Sequence, residues 1–338
     1  MHAFSAARAP SASPWPPDQF EPGAPLRLGV LINLNARGLK QSGDSTVRDL
    51  TARAGGDAEV ITTRNVSHAK AALSGMLHRG VNVLALAGGD GTMHHSLQDL
   101  QHDGGVWPGA VLPIPLGTLN ILASSLARKE SKTTLRSLSN RRLGDVPTRA
   151  QRLLRVTGEH SGVCHGCLFG SEMVRHAIEL YDGFGGGYAG LSRLLLETTR
   201  GYFFGTDLWK RESWRLTPPR STVTVDGVAF DAYSAVVAAT CDLAVAGGTV
   251  RALAPPGDRG FSARVITETR TKELLRMIPA LMRQGLPRGV SEFSEAERLE
   301  LRGAYTLDGE CCGMPSTDAS AGERLTVELG GTLQLVSQ

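Results

Sequence analysis

The stretch LALAGGDGTMHHSL at residues 84–97 decides the fold, because an apolar run typical of a buried strand leads into a glycine-rich turn and then into a helical pattern. Glycines let main-chain N–H groups approach phosphate oxygens without a Cβ in the way, and the positive end of the following helix favours an anion. Asp90, between two of the glycines, can hold a metal ion or an ordered water against such phosphates. The alternative is a tight strand-to-helix turn capped by Asp90.

A second loop of similar design follows at residues 111–126, VLPIPLGTLNILASSL. Its prolines fix φ where the predicted strand ends, and Gly117 permits the close approach of a ligand. Thr118 and Asn120 supply short polar groups near a helix start. Two such loops can share one nucleotide, so the second loop favours the phosphate-binding interpretation of the first.

Several competing motifs are absent from the sequence. Starting at Gly89, the string GDGTMH has His94 where the dinucleotide motif GxGxxG requires its last glycine, and no GxxxxGK[ST] sequence occurs. No GxSxG, HRD or HExxH sequence occurs either. These absences disfavour a dinucleotide-dependent oxidoreductase and a P-loop enzyme.

Strand and helix signals alternate over the first part of the chain. Strand-like runs occur at residues 28–33, 59–62, 81–87 and 111–114, and a helical pattern covers residues 67–79. This alternation predicts a mostly parallel sheet with helices on its faces. Both glycine loops follow strands, so we expect them at the carboxyl edge, where such sheets bind their ligands.

The sequence changes character after residue 147. Short β-rich runs follow, at residues 152–157, 221–225, 234–239, 264–266 and 298–301. They predict a second, antiparallel β domain. We therefore divide the chain into a disordered tail at residues 1–25, a nucleotide-binding α/β domain at 26–147 and a β-rich domain at 148–338. The last strand-like runs, near the C-terminus, either finish the second domain or return to the first.

The composition is that of a folded protein large enough for two cores, with 338 residues, 41% of them hydrophobic, and a formal net charge of +3. The odd number of cysteines and an N-terminal segment without a continuous apolar core predict a reducing compartment and no export signal. Cys164 and Cys167 have metal-ligand spacing but lack a second pair, so we interpret them as ordinary thiols. No apolar run reaches the ~20 residues needed to cross a bilayer. The expected location is the cytoplasm.

Three motifs carry a family resemblance: GGDGT at residues 88–92, PLGTLN at 115–120 and YTLDGE at 305–310. In this order they resemble the catalytic domain of the diacylglycerol kinase and sphingosine kinase family, which is distantly related to the NAD kinases. LGVLINLNARG at 28–38 is similar to the first strand and Asn-Pro loop of that family, with Asn33 in place and Leu34 where proline is usual. Thr63 stands at the end of the second strand, where a threonine helps the family bind nucleotide.

The resemblance implies an N-terminal, mostly parallel α/β nucleotide-binding domain and a C-terminal antiparallel β-rich lipid-binding domain, with the active site in the cleft between them. It implies transfer of the γ-phosphoryl group of ATP, with Mg²⁺, to a hydroxyl of a membrane lipid. Asp308 is then the catalytic base, Glu310 holds the metal or orients Asp308, and Asp90 acts through the metal. The implied nucleotide-binding residues are Asn33, Thr63, Gly88, Gly89, Asp90, Gly91, Thr92, Gly117, Thr118 and Asn120.

Two departures from the family pattern bear on the acceptor. Ile121 occupies the position after GTxN where bacterial diacylglycerol kinases often have aspartate, and residues 255–260, PPGDRG, replace an Asp-Gly associated with a structural metal. Both changes favour ceramide or a sphingoid base over diacylglycerol. The alternatives are an NAD kinase-like enzyme and a non-catalytic protein that binds nucleotide or lipid.

The expected partner is a lipid at a membrane surface. We expect the protein to contact the membrane peripherally, at its inner face. Residues 128–155 carry nine Lys or Arg against two acidic residues, a strip that either faces anionic headgroups or is a solvated surface. It has no aromatic residues for base stacking, so nucleic acid is not expected. Residues 187–205 combine leucines and aromatics that either line an acyl-chain groove or fill the core. A homodimer is left open.

Overall fold

The computed structural model of the chain describes residues 15–102, 105–117, 120–127, 131–138, 141–185, 187–213, 222–245, 250–251, 253–268, 270–281, 285–312 and 322–337. The helices are Arg37–Ala54 (α1), Val66–His78 (α2), Asp90–Asp99 (α3), Ile121–Leu126 (α4), Ser131–Leu138 (α5), Met173–Asp182 (α6), Gly187–Phe204 (α7), Asp207–Glu212 (α8) and Thr271–Leu281 (α9). Short 3-10 helices occur at Pro17–Phe20 and Leu143–Asp145.

The strands are Leu28–Asn33 (β1), Glu59–Thr63 (β2), Val83–Gly88 (β3), Gln101–His102 (β4), Gly105–Val106 (β5), Ala110–Pro115 (β6), Thr148–Gly158 (β7), Gly162–Gly166 (β8), Leu168–Glu172 (β9), Val223–Val225 (β10), Val228–Phe230 (β11), Ala235–Ala239 (β12), Ala244–Val245 (β13), Val250–Arg251 (β14), Phe261–Ile266 (β15), Val290–Ala296 (β16), Arg298–Arg302 (β17), Tyr305–Leu307 (β18), Glu310–Cys312 (β19) and Arg324–Val336 (β20).

The first half is a parallel sheet in the order β2-β1-β3-β6. The central strand β3, VLALAG, is buried along its whole length, as parallel strands covered on both faces are. Helices α2, α3 and α4 cover one face through side chains such as Met76 and Leu97. Helices α1 and α5 cover the other face through Leu50 and Leu135.

The second half is a β-sandwich. One sheet is antiparallel in the order β16-β15-β12-β9-β18-β19. It packs against β7, β10, β17 and β20 over a core that includes Phe169, Tyr233, Phe261 and Tyr305. The predicted fold class, a mostly parallel α/β part followed by an antiparallel β-rich part, is confirmed. Among the helices that are described, none has the length and apolar character needed to span a membrane.

The last strand joins the two halves. The runs predicted at residues 325–329 and 332–336 form one strand, β20, with a register shift between Leu329 and Thr332. The start of β20 pairs antiparallel with β7 and β17, whereas Gln334 and Leu335 pair parallel with β6. One ten-stranded sheet therefore runs through both halves and holds their loops in a fixed relation.

Residues 15–25 differ from the disordered tail that the sequence predicts. Phe20 contacts Trp107 edge to face at 6.1 Å between ring centroids. The Asn82 side-chain amide donates to the carbonyl oxygens of Gln19 and Pro25. The prediction is wrong for this segment because two apolar side chains, Trp15 and Phe20, pack on the first core and offset the loss of chain entropy.

Glu172, the last residue of β9, gives the protein a pH-dependent stability. Burial raises the pKa of its carboxyl from 4.5 to about 7, although Arg175 opposes the shift. Because the pKa of Glu172 is higher in the folded state, its stabilising contribution is complete below the pKa of the unfolded state, 4.5. This contribution disappears as the pH rises through the folded-state pKa of about 7. We expect Glu172→Gln to match the wild type at pH 4 and to exceed its free energy of unfolding by about 2 kcal/mol at pH 8. Urea denaturation at both pH values measures this, and parallel stability profiles would contradict it.

Candidate functional site

A cavity of about 330 Å³ opens at the carboxyl edge of the parallel strands. Its volume lies within the range of ~300–1,000 Å³ common for small-molecule sites. The predicted nucleotide-binding residues that line it are Asn33, Thr63, Gly89, Gly91, Thr92 and Gly117. These residues come from the ends of four adjacent strands, so the sheet brings them together as the βα alternation predicts.

The two glycine loops contact each other at the cavity. The Leu116 N–H donates to the Gly88 carbonyl oxygen at 2.7 Å. A Cβ on Gly117 would lie 2.6 Å from the Cα of Gly89, a distance that no side chain tolerates. Gly88 does not line the cavity, and a Cβ on it would overlap the Thr92 side chain. Glycine is therefore required at these positions for the close approach of the two loops, in addition to the space that it leaves for a ligand.

Helix α3 begins at the cavity, with Gly89 as its N-cap and Asp90 as its first residue. The first N–H groups of a helix have no partner within the helix, so they are available to an anion. The Thr92 hydroxyl accepts a hydrogen bond from the Asn33 side-chain amide at 2.8 Å. This bond fixes two of the cavity's polar side chains relative to each other.

Asp90 points away from the cavity toward helix α4. Its carboxylate accepts the Ile121 N–H at 2.9 Å and the Ala123 N–H at 3.0 Å. Burial raises the pKa of Asp90, hydrogen bonds from Ala123, Ile121 and Leu122 lower it, and the charge of Asp308 raises it further. Asp90 does not cap its own helix, because the N-cap of α3 is Gly89 and no side-chain cap bond is formed there. Its carboxylate instead caps α4 and so positions the second loop.

Asn120 fixes the conformation of the second loop. It adopts φ +49°, and its side chain accepts the Gly117 N–H at 2.6 Å and donates to the Gly117 carbonyl oxygen at 2.8 Å. It does not line the cavity, so it supports Gly117 rather than facing a ligand there. Thr118 lies outside the described residues.

Asp308 occupies the turn between β18 and β19, and its side chain is fully buried. Oδ1 accepts the N–H groups of Cys167 and Leu168 at 2.8 and 2.9 Å. Oδ2 faces Nδ1 of His94 at 3.2 Å, and His94 is also almost fully buried. His94 lies on α3 and Asp308 in the β-sandwich, so this contact joins the two halves of the molecule.

A second Asp-Gly turn in the same chain allows Asp308 to be compared with an ordinary hairpin turn. Asp226 and Gly227 have φ +48° and +82°, and Asp308 and Gly309 have φ +58° and +91°. Asp226 also accepts two backbone N–H groups, from Glu297 and Arg298, but it is exposed. Burial and the contact with His94 therefore distinguish Asp308 from an ordinary hairpin turn.

Glu310 lies over the start of α3. A Cβ built on Gly91 would come within 2.6 Å of its Oε1, so the carboxylate sits beside the glycine that lines the cavity. In the described ranges, no group of three or more His, Cys, Asp or Glu side chains could hold a metal ion. Mg²⁺ commonly binds one or two carboxylates together with substrate phosphates and water, so Glu310 fits a metal that arrives with a nucleotide. Asp90, the other predicted metal ligand, fits less well, because its carboxylate oxygens accept the N–H groups of Ile121 and Ala123.

Two kinds of functional residue escape sequence reasoning. His94 was singled out only as a missing glycine of GxGxxG, and its partner Asp308 is 214 residues away. Arg37 and Arg64 line the cavity and bring positive charge to it. Arg37 lies within the stretch 28–38 that carries part of the family resemblance, but the resemblance gives it no role, and Arg64 lies outside the quoted motifs. Cys167 behaves as the sequence predicts, because burial raises the pKa of its thiol well above the ordinary value.

Comparison with known proteins gives a family match for part of the chain and a fold for most of it. Residues 27–148 match the family described as the diacylglycerol kinase catalytic domain. A solved structure of a diacylglycerol kinase from Bacillus anthracis str. Sterne superposes with a TM-score of 0.55 at 11% identity, covering 92% of this chain and 97% of the other. Two proteins of the same organism, provisionally described as diacylglycerol kinases, give TM-scores of 0.57 and 0.59 at 13% identity with the same coverage. At such identities the likeness shows the fold alone. No curated protein matches the chain significantly.

Proposed function

We propose that this protein is an ATP-dependent lipid kinase that phosphorylates a hydroxyl group of a membrane lipid, because residues 27–148 match the diacylglycerol kinase catalytic domain family. The observation that carries the proposal is the contact between His94 and Asp308, because the same turn places Glu310 beside Gly91, which lines the glycine-loop cavity. A phosphate site from one half of the molecule thereby meets a buried acid-base pair from both halves. Phosphoryl transfer needs these two parts side by side.

The nucleotide part follows from the cavity. Backbone N–H groups at the start of α3 face the triphosphate, Gly89 and Gly117 leave room for it, and Arg37 and Arg64 offset its charge. Mg²⁺ held by Glu310 would supply further positive charge to the phosphates. Asp90 would act indirectly, because its carboxylate fixes the start of α4 behind the second loop.

The acceptor part follows from the hydrogen bonds of Asp308. Since Oδ1 already accepts two backbone N–H groups, Oδ2 is the oxygen that acts, and it faces Nδ1 of His94. A carboxylate in this position favours the tautomer of His94 that carries its proton on Nδ1, which leaves Nε2 as an acceptor. Nε2 has no hydrogen-bond partner among the described residues. The pair therefore takes the proton of the acceptor hydroxyl, with Asp308 stabilising the charge that forms on His94.

The acceptor is proposed to be ceramide or a sphingoid base in preference to diacylglycerol. The support is the change at Ile121, whose side chain adds no carboxylate to the metal network although its N–H still bonds Asp90. Since such acceptors reside in a bilayer, the proposal places the protein in the cytoplasm, in peripheral contact with the inner face of the membrane.

A single panel of acceptors tests the function. The full chain, Mg²⁺ and γ-labelled ATP are incubated in parallel with ceramide, sphingosine, diacylglycerol, monoacylglycerol and NAD, the lipids in mixed micelles, and Asp308→Asn serves as the control in every arm. We expect label in a lipid, most in ceramide or sphingosine. Label only in NADP would assign the protein to NAD phosphorylation, and nucleotide binding without label in any arm would show a non-catalytic binding protein.

A further inference from the structure

Helix α7 exposes its large apolar side chains instead of burying them. Phe203 and Phe204 are 66% and 81% exposed, and Leu195 and Leu196 are 42% and 56% exposed. The sequence leaves open whether this segment lines an acyl-chain groove or fills the core, and these four side chains do not fill the core. Exposed large side chains clustered on one helix, unlike ones scattered singly, mark a surface that something else covers.

The opposite face of α7 is made of small residues, which explains the inversion. Gly187, Gly190, Leu194 and Gly201 are buried and share one helical face. A Cβ on Gly201 would lie 2.7 Å from the Cβ of Trp209 in α8. Because three of these four residues are glycines, the backbone of α7 packs closely on its neighbours there, while the four large apolar residues named above face outward.

Basic side chains lie within and beside the exposed face, since Arg193 and Arg200 share the helical spacing of Leu196 and Phe203. Arg193 and Arg211 are exposed and have no acidic partner among the described residues, while Arg200 and Lys210 pair with Glu197 and Asp207 at exposed positions. Exposed ion pairs contribute little and rearrange readily. Apolar residues on one face of a helix with Arg and Lys beside them are typical of helices that lie in the interface of an anionic bilayer.

The position of α7 suits access to the site. The loop between α6 and α7 is tied to the cavity rim, since the Arg37 side chain donates to the Gly185 carbonyl oxygen at 2.9 Å. Helix α6 follows directly on β9, whose first N–H holds Asp308. The basic strip predicted at residues 128–155 suits a membrane less well, because Arg149, Arg152 and Arg155 all donate to acceptors within the protein.

We infer that the exposed face of α7, formed by Leu195, Leu196, Phe203 and Phe204, docks on a bilayer containing anionic lipids. This docking rests on the proposed lipid-kinase function, since it presents the cavity rim to the surface where the acceptor resides. The apolar side chains enter the boundary between headgroups and acyl chains, and Arg193 and Arg211 contact the headgroups.

Vesicle binding tests the docking surface without turnover. The full chain is sedimented with phosphatidylcholine vesicles with and without phosphatidylglycerol, in the absence of ATP. We expect binding that is stronger with phosphatidylglycerol and weakened by salt. Phe203→Ser combined with Phe204→Ser should reduce the bound fraction at least tenfold, whereas Val163→Ser combined with Val228→Ser, which alters apolar residues exposed elsewhere, should leave it unchanged.

The outcomes separate this inference from the proposed function. Phosphorylation of a short-chain, water-dispersed acceptor should survive the double Phe variant, because the site is intact. Vesicle binding that depends on Phe203 and Phe204 without any lipid phosphorylation would keep the docking surface and reject the kinase. Equal vesicle binding by the wild type and the double Phe variant would overturn the docking surface. Loss of a dimer in sedimentation velocity together with unchanged vesicle binding would assign the face to a second copy of the chain.

Discussion

Asp308→Asn is expected to lower turnover by roughly two to four orders of magnitude, the range for loss of a general base or of the carboxylate that orients one. The variant retains the shape of the side chain, and its Oδ1 still accepts the N–H groups of Cys167 and Leu168. Its amide group, however, donates to His94 Nδ1 where the carboxylate accepted. That reversal moves the His94 proton to Nε2 and removes the acceptor for the substrate hydroxyl. Single-turnover rates at saturating lipid and ATP measure the effect.

The chain offers a matched control for this variant. Asp226→Asn changes the same residue type in the same left-handed turn conformation, where the carboxylate also accepts two backbone N–H groups, but Asp226 is exposed and has no histidine partner. We expect its turnover to equal that of the wild type. His94→Gln should reduce turnover nearly as much as Asp308→Asn, and the double variant should add little, because the two side chains act as one unit. If Asp308→Asn keeps more than about a tenth of wild-type turnover, the pair does not take the proton.

The sequence predicts the nucleotide half of the site well because its geometry follows from local patterns. A strand followed by a glycine turn and a helix places Gly89 at the carboxyl edge of a parallel sheet, and the second loop arrives there by the same rule. The direction of Asp90 was not predictable in this way. Its carboxylate is oriented by N–H groups of Ile121 and Ala123, which reach it only once both loops are folded.

The acceptor half is less predictable because its residues meet through tertiary structure. Asp226-Gly227 and Asp308-Gly309 are the same dipeptide in the same kind of hairpin, and only the approach of α3 with His94 makes one of them a candidate site. Helix α7 presents a related difficulty. Periodicity identifies the two faces of the helix. The face with the larger apolar residues is the buried one, however, only when the neighbouring elements leave enough space for those side chains. Here Trp209 fills that room.

Gly89→Val is expected to raise the dissociation constant for nucleotide by ten- to a hundredfold, about 1.4–2.7 kcal/mol. Gly89 has φ −98° and ψ −168°, an extended conformation that valine adopts readily, so the fold should survive. The added Cβ would lie 3.1 Å from the Cα of Gly117, which forces the two loops apart by a few tenths of an ångström. The methyl groups of valine then occupy space where the phosphates approach the backbone of α3.

Equilibrium titration with a fluorescent ATP analogue measures this change, and Gly56→Val is the matched control. Gly56 is an exposed glycine beyond the end of α1, with no atom within 4 Å of a Cβ built on it, so its replacement tests the loss of a glycine without touching the cavity. Both variants should unfold in urea close to the wild type. A folded Gly89→Val protein with wild-type nucleotide affinity would mean that phosphate does not approach this loop.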